Sequence, residues 1–286
     1  MPFQALPLLA AALAAASFIG MDSVIKLLAV RFDALQLAFF RFAGGSVFAV
    51  ALWLWKRSAL PDRDAWRLHG LRSAFLLCSL LGYFFALTQL PLALAVTISY
   101  LSPIFVAVLA IPVLGERPAG SIWLALAAGL TGVTMAVWPE LSAGLTTVNT
   151  WRLLGMASAA AAALAFAGVM LLARRQARTD SVWTILLIQS VLPLLLLAAP
   201  AAWRWQPIQG GDVAFALLAG GLGTLGLLSL TFAFTRLEAS RVAPVEYTGL
   251  VWATVLGYLL FGEVPTVVTV ASAALIVGGC LLLLRR

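Results

Sequence analysis

Four ionisable side chains, Asp22, Lys26, Arg41 and Glu246, fall inside runs that are otherwise apolar. A charge at bilayer depth costs roughly 2.5–3.5 kcal/mol even on lenient insertion scales, so such groups are functional candidates by default. Asp22 and Lys26 are four residues apart, share a helix face and can pair. Arg41 sits at similar depth and can join them. Together they read as a charged site for a zwitterionic substrate, as an outer gate or as a coupling relay. The plainer reading is an internal ion pair fixing the first two helices, with Lys26 reaching for the headgroups. Glu246, beside Pro244 and Tyr247, could carry a coupling proton, bind a substrate amine, or be held near the interface by Arg241.

Polar and aromatic residues suggest a cavity. Tyr100 and Tyr247 occupy equivalent places in two similar stretches, and Ser99 stands where the second stretch has Glu246. Pro103, one turn on from Tyr100, lacks an amide hydrogen and can bend its helix. Phe75, Ser79, Tyr83 and Ala86 fall on one helical face, with Gly82 at its edge; Ala159, Ala163, Phe166 and Met170 fall on another. Ordinary helix packing explains any one stripe equally well. The expected substrate cavity comprises Ser79, Tyr83, Ser99, Tyr100, Pro103, Phe166, Glu246 and Tyr247. It is aromatic, rich in small residues and nearly neutral, suited to an amphipathic molecule and poorly to a nucleotide-sugar.

Other chemistry is not indicated. Gly221, Gly223 and Gly226 spell G-x-G-x-x-G, but inside an apolar run, where small residues serve close helix approach. No phosphate-binding G-x-x-x-x-G-K-[ST] loop, H-E-x-x-H or G-x-S-x-G is present. His69 falls in a basic connection, and Cys78 and Cys280 are isolated thiols in apolar runs. No catalytic residue, cofactor or metal is expected.

The elements that must position these residues are membrane spans. The chain of 286 residues is 63% hydrophobic and 10% charged. A spanning helix needs about 20 apolar residues, and ten candidates are legible: 6–30, 34–55, 71–90, 92–114, 121–138, 153–173, 181–203, 213–235, 239–261 and 266–284. Connections after the even-numbered spans and the last one hold 13 Lys and Arg, and those after odd-numbered spans hold 3. Positive loops stay cytoplasmic, so both termini are expected there. The net charge of +7 therefore reports topology rather than a nucleic-acid partner. A cleaved leader is disfavoured because no Lys or Arg precedes the first apolar run.

The spans repeat. Residues 85–118 and 232–265 align without a gap at 10 identities in 34 positions, including Gly115/Gly262, Glu116/Glu263 and Pro118/Pro265. The expected units are a first five-helix repeat at 1–138, a connecting loop at 139–152 and a second at 153–286. Five is odd, so the second copy enters the membrane from the opposite side. Inverted halves with a site near the midplane are a transporter architecture.

With its ten spans, its duplication, Glu116 and Glu263 just beyond spans 4 and 9, and glycines in the last span of each half (Gly129 and Gly132; Gly278 and Gly279), the chain resembles the drug/metabolite transporter superfamily. Within it, the chain is similar to EamA-type members. The resemblance implies an all-α integral membrane protein in which spans 1–4 and 6–9 surround a central cavity, with spans 5 and 10 peripheral. It looks most similar to bacterial exporters of aromatic and other neutral amino acids, which implies a multi-pass inner-membrane carrier. Expected partners are a small-molecule substrate, the bilayer and protons, with one chain able to act as a monomer. Broad drug or metabolite export and uptake are the alternatives within the superfamily; a channel or an intramembrane enzyme are those outside it.

Overall fold

The computed structural model describes residues 2–114, 149–176, 179–236, 245, 248–264 and 266, with scattered positions within 120–138 and 267–278. Among them the chain is helical throughout: α1 (Pro2–Leu28), α2 (Ala34–Lys56), α3 (Arg63–Gln89), α4 (Leu92–Ser99), α5 (Ser102–Leu114), α6 (Thr150–Gln176), α7 (Val182–Trp203), α8 (Gly210–Arg236) and α9 (Thr248–Phe261). Seven helical stretches in the described residues are long and apolar enough to cross a membrane. The fourth, Leu94–Val113, runs through both α4 and α5. The expected spans 5 and 10, and the start of span 9, lie largely outside the described residues.

The duplication is visible in the helix boundaries. Shifted by 147 residues, α1, α2 and α3 begin and end within one residue of α6, α7 and α8. The packing follows the same exchange. α1 lies against α8 and α3 against α6, the two copies of one contact, while α2 and α7 lie against each other.

Equivalent helices run in opposite directions. At the start of α2, Gln36 Nε2 donates to the carbonyl of Gln206, just past the end of α7, at 2.8 Å. At the start of α7, Thr184 Oγ1 donates to the carbonyl of Ala59, just past the end of α2, at 2.7 Å. Ala59 and Gln206 are themselves related by the 147-residue shift. The two halves are therefore inverted. Both N-termini are capped in the same way, Gln36 N–H to Asp33 and Thr184 N–H to Ser181, which satisfies an amide the helix leaves free.

Glycines set how closely α2 and α8 approach. A Cβ on Gly44 would overlap the Ala216 carbonyl, and one on Gly220 would overlap the backbone of Gly44 and Gly45. The apolar core gathers where α1 ends, α2 begins and α3 turns into α4, around Ile25, Leu37, Phe42, Phe84 and Leu92. Side chains of the described residues pack that end, and the cavity lies toward the other.

Candidate functional site

The cavity has a volume of about 230 Å³ and reaches from Asp22 on α1 to Arg72 near the start of α3. Its wall is built from pseudo-symmetric pairs: Ala15 and Ala162, Ile19 and Phe166, Leu80 and Leu227 are each related by the 147-residue shift, and all six line it. The cavity therefore straddles the axis between the halves. Most of the wall is apolar, with a few polar groups converging on it, the usual composition of a small-molecule site.

Every expected cavity residue that the structure describes is on this wall: Ser79, Tyr83, Ser99, Tyr100, Pro103 and Phe166. Glu246 and Tyr247 lie outside the described residues. The helix carrying Tyr100 is broken there: α4 stops at Ser99, Tyr100 has ψ of 1°, and α5 resumes at Ser102. Pro103 has no N–H to return to the Ser99 carbonyl, which is why the helix cannot run on. Across the break, Gly249 leaves room for the phenol; a Cβ there would come within 2.8 Å of the Tyr100 hydroxyl.

The expected α3 and α6 stripes split. Ser79 and Tyr83 face the cavity, whereas Ala86 is buried in the apolar core and Phe75 packs on Gly168. On α6, Ala163, Phe166 and Met170 line the cavity and Ala159 joins the core. A cavity is local, so a face one helix long serves both packing and lining.

The charged residues rearrange most. Asp22 and Lys26 do not pair. Asp22 accepts from the Tyr83 hydroxyl at 3.2 Å, and both line the cavity. Lys26, one turn on, reaches the end of the bundle, bonding Glu263 Oε1 at 2.6 Å and the Leu90 carbonyl at 2.9 Å. It is not among the residues that line the cavity. Arg41 stays on the wall, within electrostatic reach of Asp22 but forming no ion pair, and its Nε and Nη1 have no hydrogen-bond partner. Its guanidinium lies against Gly223, and Phe18 lies against Gly226. The glycines of the G-x-G-x-x-G string are thus packing glycines.

Three polar wall residues, Arg72, Ser102 and Gln189, are outside the expected set. Arg72, at the very edge of the expected third span and counted with the connection before it, is well inside α3, which starts at Arg63. It is 4% exposed, lines the cavity, and donates from Nη1 to Gln176 at 2.7 Å. Gln189, a lone amide in an apolar stretch of α7, is 3% exposed with neither side-chain polar atom bonded. The wall is consequently not nearly neutral: its described charges are Asp22, Arg41 and Arg72. His69 is not in a loop either; it is buried on α3, 3.0 Å from Asp180.

Glu263 shows why its motif begins with glycine. Gly262 takes φ of 64° and turns the chain after α9, so Glu263 N–H bonds the Gly257 carbonyl at 3.1 Å. A residue with a Cβ resists that conformation. The turn aims Glu263 Oε2 at the Leu92 N–H, 3.0 Å away at the start of α4. A carboxylate there satisfies a free amide and the helix dipole together. The equivalent Glu116 lies outside the described residues.

Comparison with known proteins agrees with this architecture. The model of the EamA-like transporter family matches residues 5–138 and 153–285. A pseudopaline exporter of Pseudomonas aeruginosa is 31% identical, over 97% of this chain and 95% of that protein. An S-adenosylmethionine uptake transporter of Rickettsia felis is 23% identical, over 92% and 87%. A riboflavin transporter of Rhizobium johnstonii is 28% identical, over 90% and 83%. A solved crystal structure with 23% identity superposes with a TM-score of 0.69, covering 95% of this chain and 97% of that one, and shows the same fold.

Proposed function

We propose a function from one premise: this chain belongs to the EamA-like transporter family. It is a secondary transporter that moves small amphipathic metabolites of amino-acid character, aromatic and neutral amino acids included, by alternating access. The observation that carries the reading is the cavity straddling two antiparallel, equivalent halves. Two such halves can exchange conformations, and each exchange opens the same site to the other face.

Asp22 suits a substrate ammonium, Arg41 a carboxylate, and the apolar wall beside Tyr100 and Phe166 an apolar body. Rocking of α3, α4 and α5 against α8 and α9 bends the chain near Pro103. The setting we infer is a bacterial inner membrane, with both termini cytoplasmic and net export. The relatives include an exporter and an uptake transporter, so direction is decided by vesicles of known orientation.

The test is uptake and counterflow of radiolabelled amino acids in proteoliposomes holding the purified chain, with and without a pH gradient. Saturable uptake, lost in a Tyr100→Ala/Tyr247→Ala double variant, supports carrier and site together. Linear, non-exchanging flux would point to a channel and overturn the reading. Gradient-driven accumulation in the wild type that vanishes in Glu246→Gln assigns the coupling proton to Glu246; equal accumulation removes that residue from the mechanism.

A further inference from the structure

The amino-acid reading leaves one end of the cavity unexplained. Among the described residues the wall holds one acid, Asp22, and two bases, Arg41 and Arg72. Arg41 stands with Asp22. Arg72 has no acid: Nη1 donates to the neutral amide of Gln176, and Nε has no partner. Asp180, close by, is bonded to His69. Gln189, also on the wall, offers an amide with both polar atoms unbonded. Arg72 and Gln189 are each more than nine-tenths buried. A buried guanidinium without a carboxylate is costly, and its planar fork is shaped to take one.

Asp22 and Arg72 stand at different levels of the wall. Tyr83, bonded to Asp22, and Arg72 are eleven residues apart on α3, about 16 Å along the helix at 1.5 Å per residue. Among the described residues the wall carries one positive charge in excess, at the Arg72 end, and this fits an elongated ligand with one ammonium and two carboxylates.

We propose that the cavity prefers an amino acid bearing a second carboxylate at the far end of its side chain. Asp22 and Arg41 hold the amino-acid head, and Arg72 with Gln189 holds the distal carboxylate. This rests on the transporter reading above and narrows its substrate class. A neutral amino acid meets only one end.

The matched pair 2-aminosuberate and 2-aminooctanoate differs only in the terminal carboxylate. In proteoliposomes holding the full chain, the diacid is expected to be transported with at least tenfold higher kcat/KM. Aspartate, too short to span, gains no advantage over 2-aminobutyrate. Arg72→Gln brings the diacid preference down toward one, and Arg72→Lys retains part of it. Arg67→Gln, an exposed change of equal charge on the same helix, keeps the full preference. Independently of turnover, 2-aminosuberate raises the unfolding midpoint of the wild type and not of Arg72→Gln. Transport of neutral amino acids with no diacid preference, or a preference that survives Arg72→Gln, overturns this inference alone. Failure of every amino acid tested to move or to stabilise the protein overturns the amino-acid reading and this inference with it.

Discussion

Lys26 Nζ and Glu263 Oε1 lie 2.6 Å apart although 237 residues separate them in the chain. The pair binds the end of α1 to the turn after α9, and through Leu90 and Leu92 to the corner between α3 and α4. Both halves are thus tied together at one end of the bundle, beyond the cavity. Their side chains are 14% and 22% exposed, so the bond is shielded from competing water.

Glu263→Gln should loosen that end. The Leu92 amide and the Lys26 ammonium lose their charged partner, worth about 1–3 kcal/mol together, so the unfolding midpoint in detergent falls. A Ser79→Cys reporter in a background without Cys78 and Cys280 should react faster with a membrane-impermeant thiol reagent applied from the Lys26 end. An unchanged rate would mean that the pair does not close that end.

Gly44→Ala should destabilise by about 1–3 kcal/mol, because the new methyl meets the backbone of α8 and not a movable side chain. Gly70→Ala is the contrast. Nothing lies within 4 Å of its Cβ, it sits inside α3, and removing backbone freedom there should stabilise by roughly 0.5–1 kcal/mol. Thermal unfolding of the two variants side by side checks both signs.

Gly223→Val should act differently from Gly44→Ala. Its side chain would strike the Arg41 guanidinium, which can swing away. Folding should survive with a small change in midpoint, while transport falls at least tenfold because Arg41 is pushed off the wall. Normal transport would show that Arg41 is dispensable.

Pro103→Ala returns the missing amide and allows α4 and α5 to join. A continuous helix should hold the cavity in one state, so counterflow slows at least tenfold while substrate binding persists. The α4–α5 break matters to the cycle only if binding and turnover separate in this way.

Much of this was legible in residue order. The Gly-Glu pair at 262–263 marked the duplication, and the odd number of spans per copy predicted the antiparallel α2 and α7. Tyr100, Pro103 and Phe166 were found from equivalence and spacing. The charges were harder. Spacing placed Asp22 with Lys26, but a long side chain one turn nearer the helix end reaches a loop that sequence cannot locate. Arg72 was hidden because it stands at the edge of the apolar run at 71–90 and was counted with the basic connection before it, whereas α3 begins at Arg63 and carries it inside the helix. Gln189 carried a readable signal, a lone amide in an apolar stretch, and only its position on the wall required coordinates.

The ends of the bundle are alike in their neutral bonds and unlike in their charged ones. The Gln36–Gln206 and Thr184–Ala59 bonds repeat across the axis. The ion pairs do not: where Lys26 and Asp212 stand, the other half has Ala173 and Ala65. With identical halves, opening to one face and opening to the other would be degenerate, and an idle carrier would divide itself evenly between them. The unequal rims lift that degeneracy, and each 1.4 kcal/mol of difference skews the resting population about tenfold. Under the alternating access proposed above, duplication supplies a two-position device, and a handful of rim substitutions decides where it waits.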